Sequence, residues 1–282
     1  MKKVAIFPNI ERDTKLSATA FVAKGLIGCG KTVLLPEAYK NMLDLPAVFL
    51  KTDEIFCEAE LIITLGGDGT LLRIAAEAAT KNIPIMGINI GHLGFLTQAE
   101  NGDSEIFEKL ANGKFSIKSA MMLKATVKNK NGETVGQAAA LNDFMMKSAE
   151  SKMLSLDVKV NGTSTNRCHA DGLIVASATG STAYSLSCGG PIVHPELECM
   201  LITPICPHTL KSRCIVIPPE KIITVELDFA YSGKTVLKAD GETVHIMADG
   251  DYIEIIKSEK AVKMVNLEGF SYFDVIRRKL SD

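Results

Sequence analysis

The 282-residue chain contains no tryptophan, and aromatic residues make up only 6% of it. That scarcity argues against a platform on which nucleic-acid bases stack. Neither sign of charge dominates: 31 Lys and Arg face 33 Asp and Glu, for a formal net charge of −2. A dedicated nucleic-acid binder would carry a basic excess, so no nucleic-acid partner is expected. No apolar run is long enough to span a bilayer, so no membrane partner is expected either. The start, Met1-Lys2-Lys3, leads into only four apolar residues, Val4 to Phe7, too few for the core of a secretory signal. Cysteine is present seven times but never as Cys-x-x-Cys, and the odd count favours reduced thiols. Cys206, His208 and Cys214 lack the spacing of a zinc site, and no metal-ligating side chains are read elsewhere. A soluble, cytoplasmic protein is the expectation.

What the chain does have is apolar material, 46% of its residues, enough for one large or two modest domains. Its first part alternates. Val4–Phe7, Thr32–Leu35, Leu61–Leu65 and Ile85–Ile88 read as strands, and Lys15–Leu26, Leu71–Ala79 and Phe107–Leu110 as helices. Continuous apolar strands between helices predict a parallel sheet covered on both faces. From about Ser119 the texture becomes short strands. These are Leu123–Lys128, Thr134–Leu141, Asp157–Val160, Leu173–Ala176, Ile215–Ile217, Ile222–Leu227, Thr235–Ala239, Thr243–Met247, Asp251–Ile256 and Ala261–Val265. Asn131-Gly132 and Asn161-Gly162 are hairpin signals. One helix is expected around Thr182–Ser187, and a basic one at Phe273–Leu280. The fold class is therefore an α/β N-terminal domain with a parallel sheet, 1–118, and a β-rich C-terminal domain, 119–267. The tail 268–282 is expected to pack back on the first domain.

The strand Leu61–Leu65 stops in Gly66-Gly67-Asp68-Gly69-Thr70, and a helical pattern follows at once. Three glycines let the backbone approach a ligand and take positive φ. Their N–H groups and the helix N-terminus favour an anion such as phosphate. Asp68 would repel phosphate unless it held a metal or took a proton from an attacking hydroxyl. The combination points to phosphoryl transfer. Taken alone it is equally a tight turn with Asp68 or Thr70 as helix cap.

Gly25-Leu26-Ile27-Gly28-Cys29-Gly30-Lys31-Thr32 matches the P-loop pattern by letter. The mechanism needs a strand before the loop and a helix after it. Here a helix precedes and a strand follows, so Gly28 and Gly30 read as a helix C-cap and turn.

Three further clusters stand out. Gly87-Ile88-Asn89-Ile90-Gly91-His92-Leu93-Gly94-Phe95-Leu96-Thr97 is a glycine-spaced loop after a strand. Leu141-Asn142-Asp143 sets an amide beside a carboxylate at a strand end, suited to ribose hydroxyls or a base edge, though also a common turn dipeptide. Asp171-Gly172-Leu173 leads to Thr179-Gly180-Ser181-Thr182-Ala183-Tyr184-Ser185-Leu186-Ser187 and on to Gly189-Gly190-Pro191. Small residues there let a flat ring come close, and hydroxyls supply adaptable hydrogen bonds. A second helix-capping turn would explain the same residues.

Taken together, these clusters resemble the NAD kinase family, as do Pro207-His208-Thr209-Leu210 and the ending Phe273-Asp274-Val275-Ile276-Arg277. The resemblance implies the two-domain fold shared with diacylglycerol kinases, with the NAD site between the domains. It implies transfer of the γ-phosphoryl of ATP, or of polyphosphate, to the 2′-hydroxyl of the adenosine ribose of NAD. It makes Asp68 the catalytic base, with a divalent ion, Mg²⁺, accompanying ATP. Gly66, Gly67, Gly69 and Thr70 would cradle phosphate. Asn142 and Asp143 would hold the adenosine side of NAD, and Asp171, Thr182, Ala183, Tyr184 and Ser187 would line the dinucleotide pocket. A homodimer or homotetramer is implied. The chain departs from the pattern at Asp143, where Glu is usual, at His169 and Ala120, where Arg is expected, and at Cys188, where Ala is usual. Two other readings are a lipid kinase of the diacylglycerol or sphingosine type, and a non-catalytic NAD(H)-binding sensor.

Overall fold

The computed structural model describes residues 1–91, 93–150, 152–208, 212–228 and 234–280. Two compact units divide the chain: residues 1–119 with 262–282, and residues 120–261.

The first unit runs β1 (Lys3–Pro8), α1 (Ser17–Gly28), β2 (Thr32–Pro36), β3 (Val48–Leu50), α2 (Thr52–Glu58), β4 (Leu61–Gly66), α3 (Asp68–Thr80), β5 (Ile85–Asn89), β6 (Thr97–Glu100) and α4 (Glu105–Ala111). Its strands pair in the order β6-β5-β4-β1-β2-β3, and every pairing is parallel. The chain moves from β1 outward to β2 and β3, then returns to β4 on the other side of β1. The sheet therefore changes direction between β1 and β4, and ligands of open α/β sheets bind outside the carboxyl ends of strands at such a point. Alternate residues Val4, Ile6, Ile63 and Leu65 share a core with Val22 and Leu26 of α1 and Phe107 of α4. The intervening Ala5 and Ile62 are also fully buried, because α3 turns Leu71, Ala75 and Ala78 inward and packs on β4 and β5. Two-sided burial is why these strands read as unbroken apolar runs.

The second unit contains β8 (Thr134–Ala140), β9 (Asp143–Ser148), β10 (Leu154–Val160), β11 (Thr163–Ala170), β12 (Gly172–Ser177), α5 (Tyr184–Ser187), β13 (Met200–Ile205), β14 (Ile215–Ile217), β15 (Ile223–Leu227), β16 (Thr235–Ala239) and β17 (Glu242–Met247). Two long strands, β7 (Phe115–Lys128) and β18 (Tyr252–Leu267), cross the boundary between the units, and α6 (Tyr272–Leu280) follows. One antiparallel sheet has the order β14-β13-β12-β9-β16-β17. A second brings β11, β10, β15 and the first half of β18 together. Leu123, Phe144, Leu156, Val175, Val225, Leu237 and Ile253 make the core of this unit.

Several elements differ from the sequence reading. The strands expected at Asp251–Ile256 and Ala261–Val265 are one strand, β18, which begins at Tyr252 and runs through the polar, mostly solvated stretch Ser258–Lys260. The expected helix at Thr182–Ser187 is a 3₁₀ turn, Thr179–Thr182, followed by the single turn of α5. β9, β11 and β13 were not legible. β9 breaks from β8 only at Leu141-Asn142, and β13 carries Pro204. Asn161 and Gly162 both take positive φ, +48° and +79°, as a tight hairpin requires. No helix among the described residues is long and apolar enough to cross a membrane.

Candidate active site

In the first unit, β4 ends at Gly66 and α3 begins at Asp68, with Gly67 extended between them. The expectation that these glycines take positive φ fails: none of Gly66, Gly67 and Gly69 is left-handed. At Gly66 the need for glycine is steric. A Cβ on Gly66 would overlap Oγ1 of Thr70, and a Cβ on Gly67 would sit 3.1 Å from the Arg12 guanidinium. Gly69 faces open space. Thr70 is buried and holds the turn to the end of β1, its Oγ1 accepting from Asn9 Nδ2 at 3.2 Å. The first N–H groups of α3 have no acceptor within the helix, as at any helix start, so the turn presents donors to an anion.

Asp68, in the first turn of α3, is half-buried. Its Oδ2 accepts the N–H of Phe95 at 2.8 Å and its Oδ1 that of Leu96 at 3.1 Å. The glycine-spaced loop after β5 therefore exists, in part, to aim this carboxylate. Each oxygen keeps a further lone pair for a proton or a cation. His92, in the same loop, lies outside the described residues, as do Thr209 and Leu210. Lys279 of α6 lies over the Phe95 ring, 5.3 Å from its centroid, and Arg278 pairs with Glu100 at 2.6 Å.

In the second unit, Asn142 and Asp143 form the corner between β8 and β9, and both are buried. Asp240 organises this corner. Its Oδ2 accepts from Leu141 N at 2.8 Å, and its Oδ1 accepts from Asn142 N at 2.7 Å and Asp143 N at 3.2 Å. Burial, and then the nearby Asp240 charge, push the Asp143 carboxyl up to about 7. Burial also raises Asp240, although its three N–H donors oppose this. Asn142 Oδ1 is buried without a partner, an acceptor left for a ligand donor.

The Thr179–Thr182 turn meets the same corner. A Cβ on Gly180 would overlap the Asn142 carbonyl, so only glycine permits this approach. Ser177 Oγ donates to Leu141 O at 2.6 Å and accepts from Gly180 N at 3.1 Å. Thr182 and Ala183 are half-buried beside this contact, while Tyr184 and Ser187 on α5 are exposed. α5 is anchored by Ser185, whose Oγ lies 2.8 Å from Thr203 Oγ1.

Asp171 stands apart from the corner. It precedes β12, whereas Asn142 and Asp143 lie at the opposite end of that strand, where Ala176 pairs with Asp143. Six residues at about 3.3 Å each separate Asp171 from Ser177 by about 20 Å. The Tyr184 hydroxyl is held above its ordinary range first by burial, then by Cys188, with Cys206 and Asp171 contributing.

Asp240, Asn9 and Arg12 were missed as site residues. Asp240-Gly241 reads as an ordinary hairpin turn, and Asn9 and Arg12 follow a strand without any motif. The P-loop letters lie where the context placed them. α1 ends at Gly28 and β2 follows, with Lys31 Nζ donating to Met1 O at 3.0 Å. Among the described residues no three His, Cys, Asp or Glu side chains converge as a metal site.

Family models describing the N-terminal and C-terminal domains of ATP-NAD kinase match residues 22–115 and 141–267. An NAD kinase of Caldanaerobacter subterraneus subsp. tengcongensis is 39% identical over 100% of both chains. One of Symbiobacterium thermophilum is 37% identical over 100% of this chain and 99% of its own. Among solved structures, yeast NADH kinase complexed with NADH superposes with a TM-score of 0.87 at 25% identity, covering 98% of this chain and 86% of that one. An Archaeoglobus fulgidus NAD kinase in complex with ATP superposes with a TM-score of 0.72 at 27% identity, covering 99% of this chain and 96% of that one.

Proposed function

This chain belongs to the NAD kinase family, and on that premise we propose how its own residues carry out the transfer of the γ-phosphoryl of ATP to the 2′-hydroxyl of the adenosine ribose of NAD. The observation that carries the assignment is the placement of Asp68. It is the one carboxylate in a donor-rich turn, at the switch point of a parallel sheet, aimed by two N–H groups. Phosphoryl transfer asks mainly for alignment and charge stabilisation. The 2′-oxygen attacks the γ-phosphorus, the bond to the β-phosphate oxygen breaks, and the 2′-proton passes to Asp68.

Gly66, Gly67, Gly69 and Thr70 form the phosphate cradle. Asn142 and Asp143 hold the adenosine side of NAD, the unpartnered Asn142 Oδ1 accepting from it. Thr182, Ala183, Tyr184 and Ser187 line the dinucleotide pocket. Asp171 is assigned the far end of that pocket, because a dinucleotide is long enough to follow β12. Mg²⁺ would accompany ATP and be held mainly by phosphate oxygens and water. It would neutralise charge on the phosphates, and Asp68 is the turn's own carboxylate available to it. Seven free cysteines support a reducing, cytoplasmic setting. The working form is a homodimer or homotetramer, measurable by light scattering.

The test is formation of NADP by the purified chain from NAD and ATP with Mg²⁺, with polyphosphate as a second donor. Turnover of a diacylglycerol or a sphingoid base, or NAD binding without turnover, would replace this assignment.

A further inference from the structure

The loop after β1 carries a cation that the reaction as described leaves unused. Arg12 reaches across from β1 to the glycine-rich turn after β4. Its Nη1 lies 3.1 Å from the point where a Gly67 Cβ would be, and 4.0 Å from the same point on Gly91. Its hydrogen bond among the described residues is a long one, from Nη1 to the Ile90 carbonyl at 3.4 Å. A guanidinium has five N–H donors, so most of its capacity is uncommitted. The backbone beneath it is held at both sides. Asn9 Oδ1 accepts from Glu11 N and Arg12 N, and Asn9 O accepts from Arg12 N and Asp13 N. Asp13, buried, takes the N–H groups of Ala18 and Thr19 at the start of α1. Arg12 is thus an exposed side chain on a fixed base, at the junction where the sheet changes direction.

A second observation marks the same spot. Asn89, at the end of β5, is only 1% exposed. Its Nδ2 donates to the Gly91 carbonyl at 2.9 Å, which fixes the amide so that Oδ1 faces the other way. That Oδ1 has no partner, and it lies 3.9 Å from the Gly67 Cβ position. A buried acceptor without a donor calls for one from a ligand or a ligand-gripping side chain. Arg12 is the nearby donor. One N–H toward Asn89 Oδ1 and one toward the Ile90 carbonyl would hold the guanidinium plane over Gly67, its remaining fork turned to the turn's anion.

We propose that Arg12, oriented by Asn89 Oδ1 and the Ile90 carbonyl, grips the phosphate chain of the donor above Gly67. This rests on reading the Gly66–Thr70 turn as the donor phosphate site. Arg suits the task because its planar fork matches two phosphate oxygens at once.

Steady-state kinetics with ATP and NAD varied separately test it on Arg12→Met, Arg12→Lys and Gly69→Leu. Arg12 is exposed, so its variants keep the fold. Arg12→Met should raise the KM for ATP by about 10–100-fold, the range of a lost charged hydrogen bond, and leave the KM for NAD within about twofold. Arg12→Lys, which keeps the charge but not the fork, should recover part of the loss. Inhibition by inorganic tripolyphosphate should weaken in parallel with ATP. An unchanged KM for ATP in Arg12→Met, or a change confined to NAD, overturns the proposal. Gly69→Leu starts from a Cβ that would meet no other side chain or distant backbone within 4 Å, and so extends into the open side of the turn. If it raises the KM for ATP while Arg12→Met does not, the turn stands as the phosphate site and the role of Arg12 alone falls. If neither variant moves it, both fall.

Discussion

Gly94 and Asp68 are locked together: a Cβ on Gly94 would overlap the Asp68 carboxylate. Gly94 is not left-handed, so its backbone would tolerate alanine. What demands glycine is the approach of a carboxylate that takes its two N–H donors from the next residues, Phe95 and Leu96. A strand-end loop and a helix start, far apart in the chain, thus form one device for aiming a charge.

Gly94→Ala should therefore impair turnover more than folding. A methyl group must push Asp68 aside, and small misplacements of a reacting group cost about 10²-fold in rate. The expected result is a loss of kcat of about that size, with a KM for NAD close to wild type. Activity within about threefold of wild type would detach the loop from the chemistry.

Asp68→Asn removes the proton acceptor and keeps the shape. Loss of a general base costs about 10²–10⁴ in kcat. One amide face now points N–H at N–H, so the fold should also lose about 1–3 kcal/mol. Kinetics and urea unfolding on the same preparation separate the two effects. A stability loss with normal kcat would make Asp68 a structural cap.

Asp143 gives a pH signature. Its carboxyl is raised to about 7 in the fold, from an ordinary value of 3.8. The folded state therefore binds this proton more tightly than the unfolded state. Its contribution to stability is fully present below about pH 4 and is lost as pH rises toward 7, with a slope of at most about 1.4 kcal/mol per pH unit. Asp143→Asn should flatten the curve in that window and raise stability above it. Urea midpoints from about pH 5 to about pH 8 give the comparison, and parallel curves for the two proteins would refute it.

Asp240→Ala leaves three adjacent N–H groups, of Leu141, Asn142 and Asp143, without their acceptor. Unsatisfied buried donors cost about 1–3 kcal/mol each before relaxation, so a loss of about 3 kcal/mol is expected. The KM for NAD should rise because the corner carrying Asn142 loosens. Thermal unfolding and NAD kinetics report on the two, and a change below about 0.5 kcal/mol, the level of an ordinary surface substitution, would dismiss the role of Asp240.

Lys31→Ala should leave the KM for ATP within about twofold. Lys31 reaches the Met1 carbonyl, where β1 and β2 begin, while phosphate sites of this architecture lie beyond the strands' carboxyl ends. A tenfold rise in a folded variant would move the donor site.

Much of this was written locally. Unbroken apolar runs such as Leu61–Leu65 announced two-sided burial, and Asn161-Gly162 announced a hairpin, because those signals depend on neighbours within a few residues. The inverted context of Gly25–Thr32 was enough to set aside its P-loop letters for the same reason. β9 and β13 escaped because a short apolar stretch can be strand or helix until its partners are known. The polar middle of β18 hid its continuity, since a solvated strand segment carries no apolar period.

Local order along the chain was enough to place it in its family and to mark the motifs that carry the resemblance. It also established the parallel and antiparallel textures, and the strand–turn–helix around Asp68. Long-range packing was needed to show that Asp68 is aimed by Phe95 and Leu96, and that Gly180 must be glycine because the Asn142 backbone lies against it. It alone set Asp240 under Leu141, 99 residues away, put Asp171 at the far end of β12, and brought Arg12 over Gly67. The reason is physical. A hydrogen bond or a missing Cβ between distant segments leaves no period in either one, and its meaning appears only when strand order and register bring the two together.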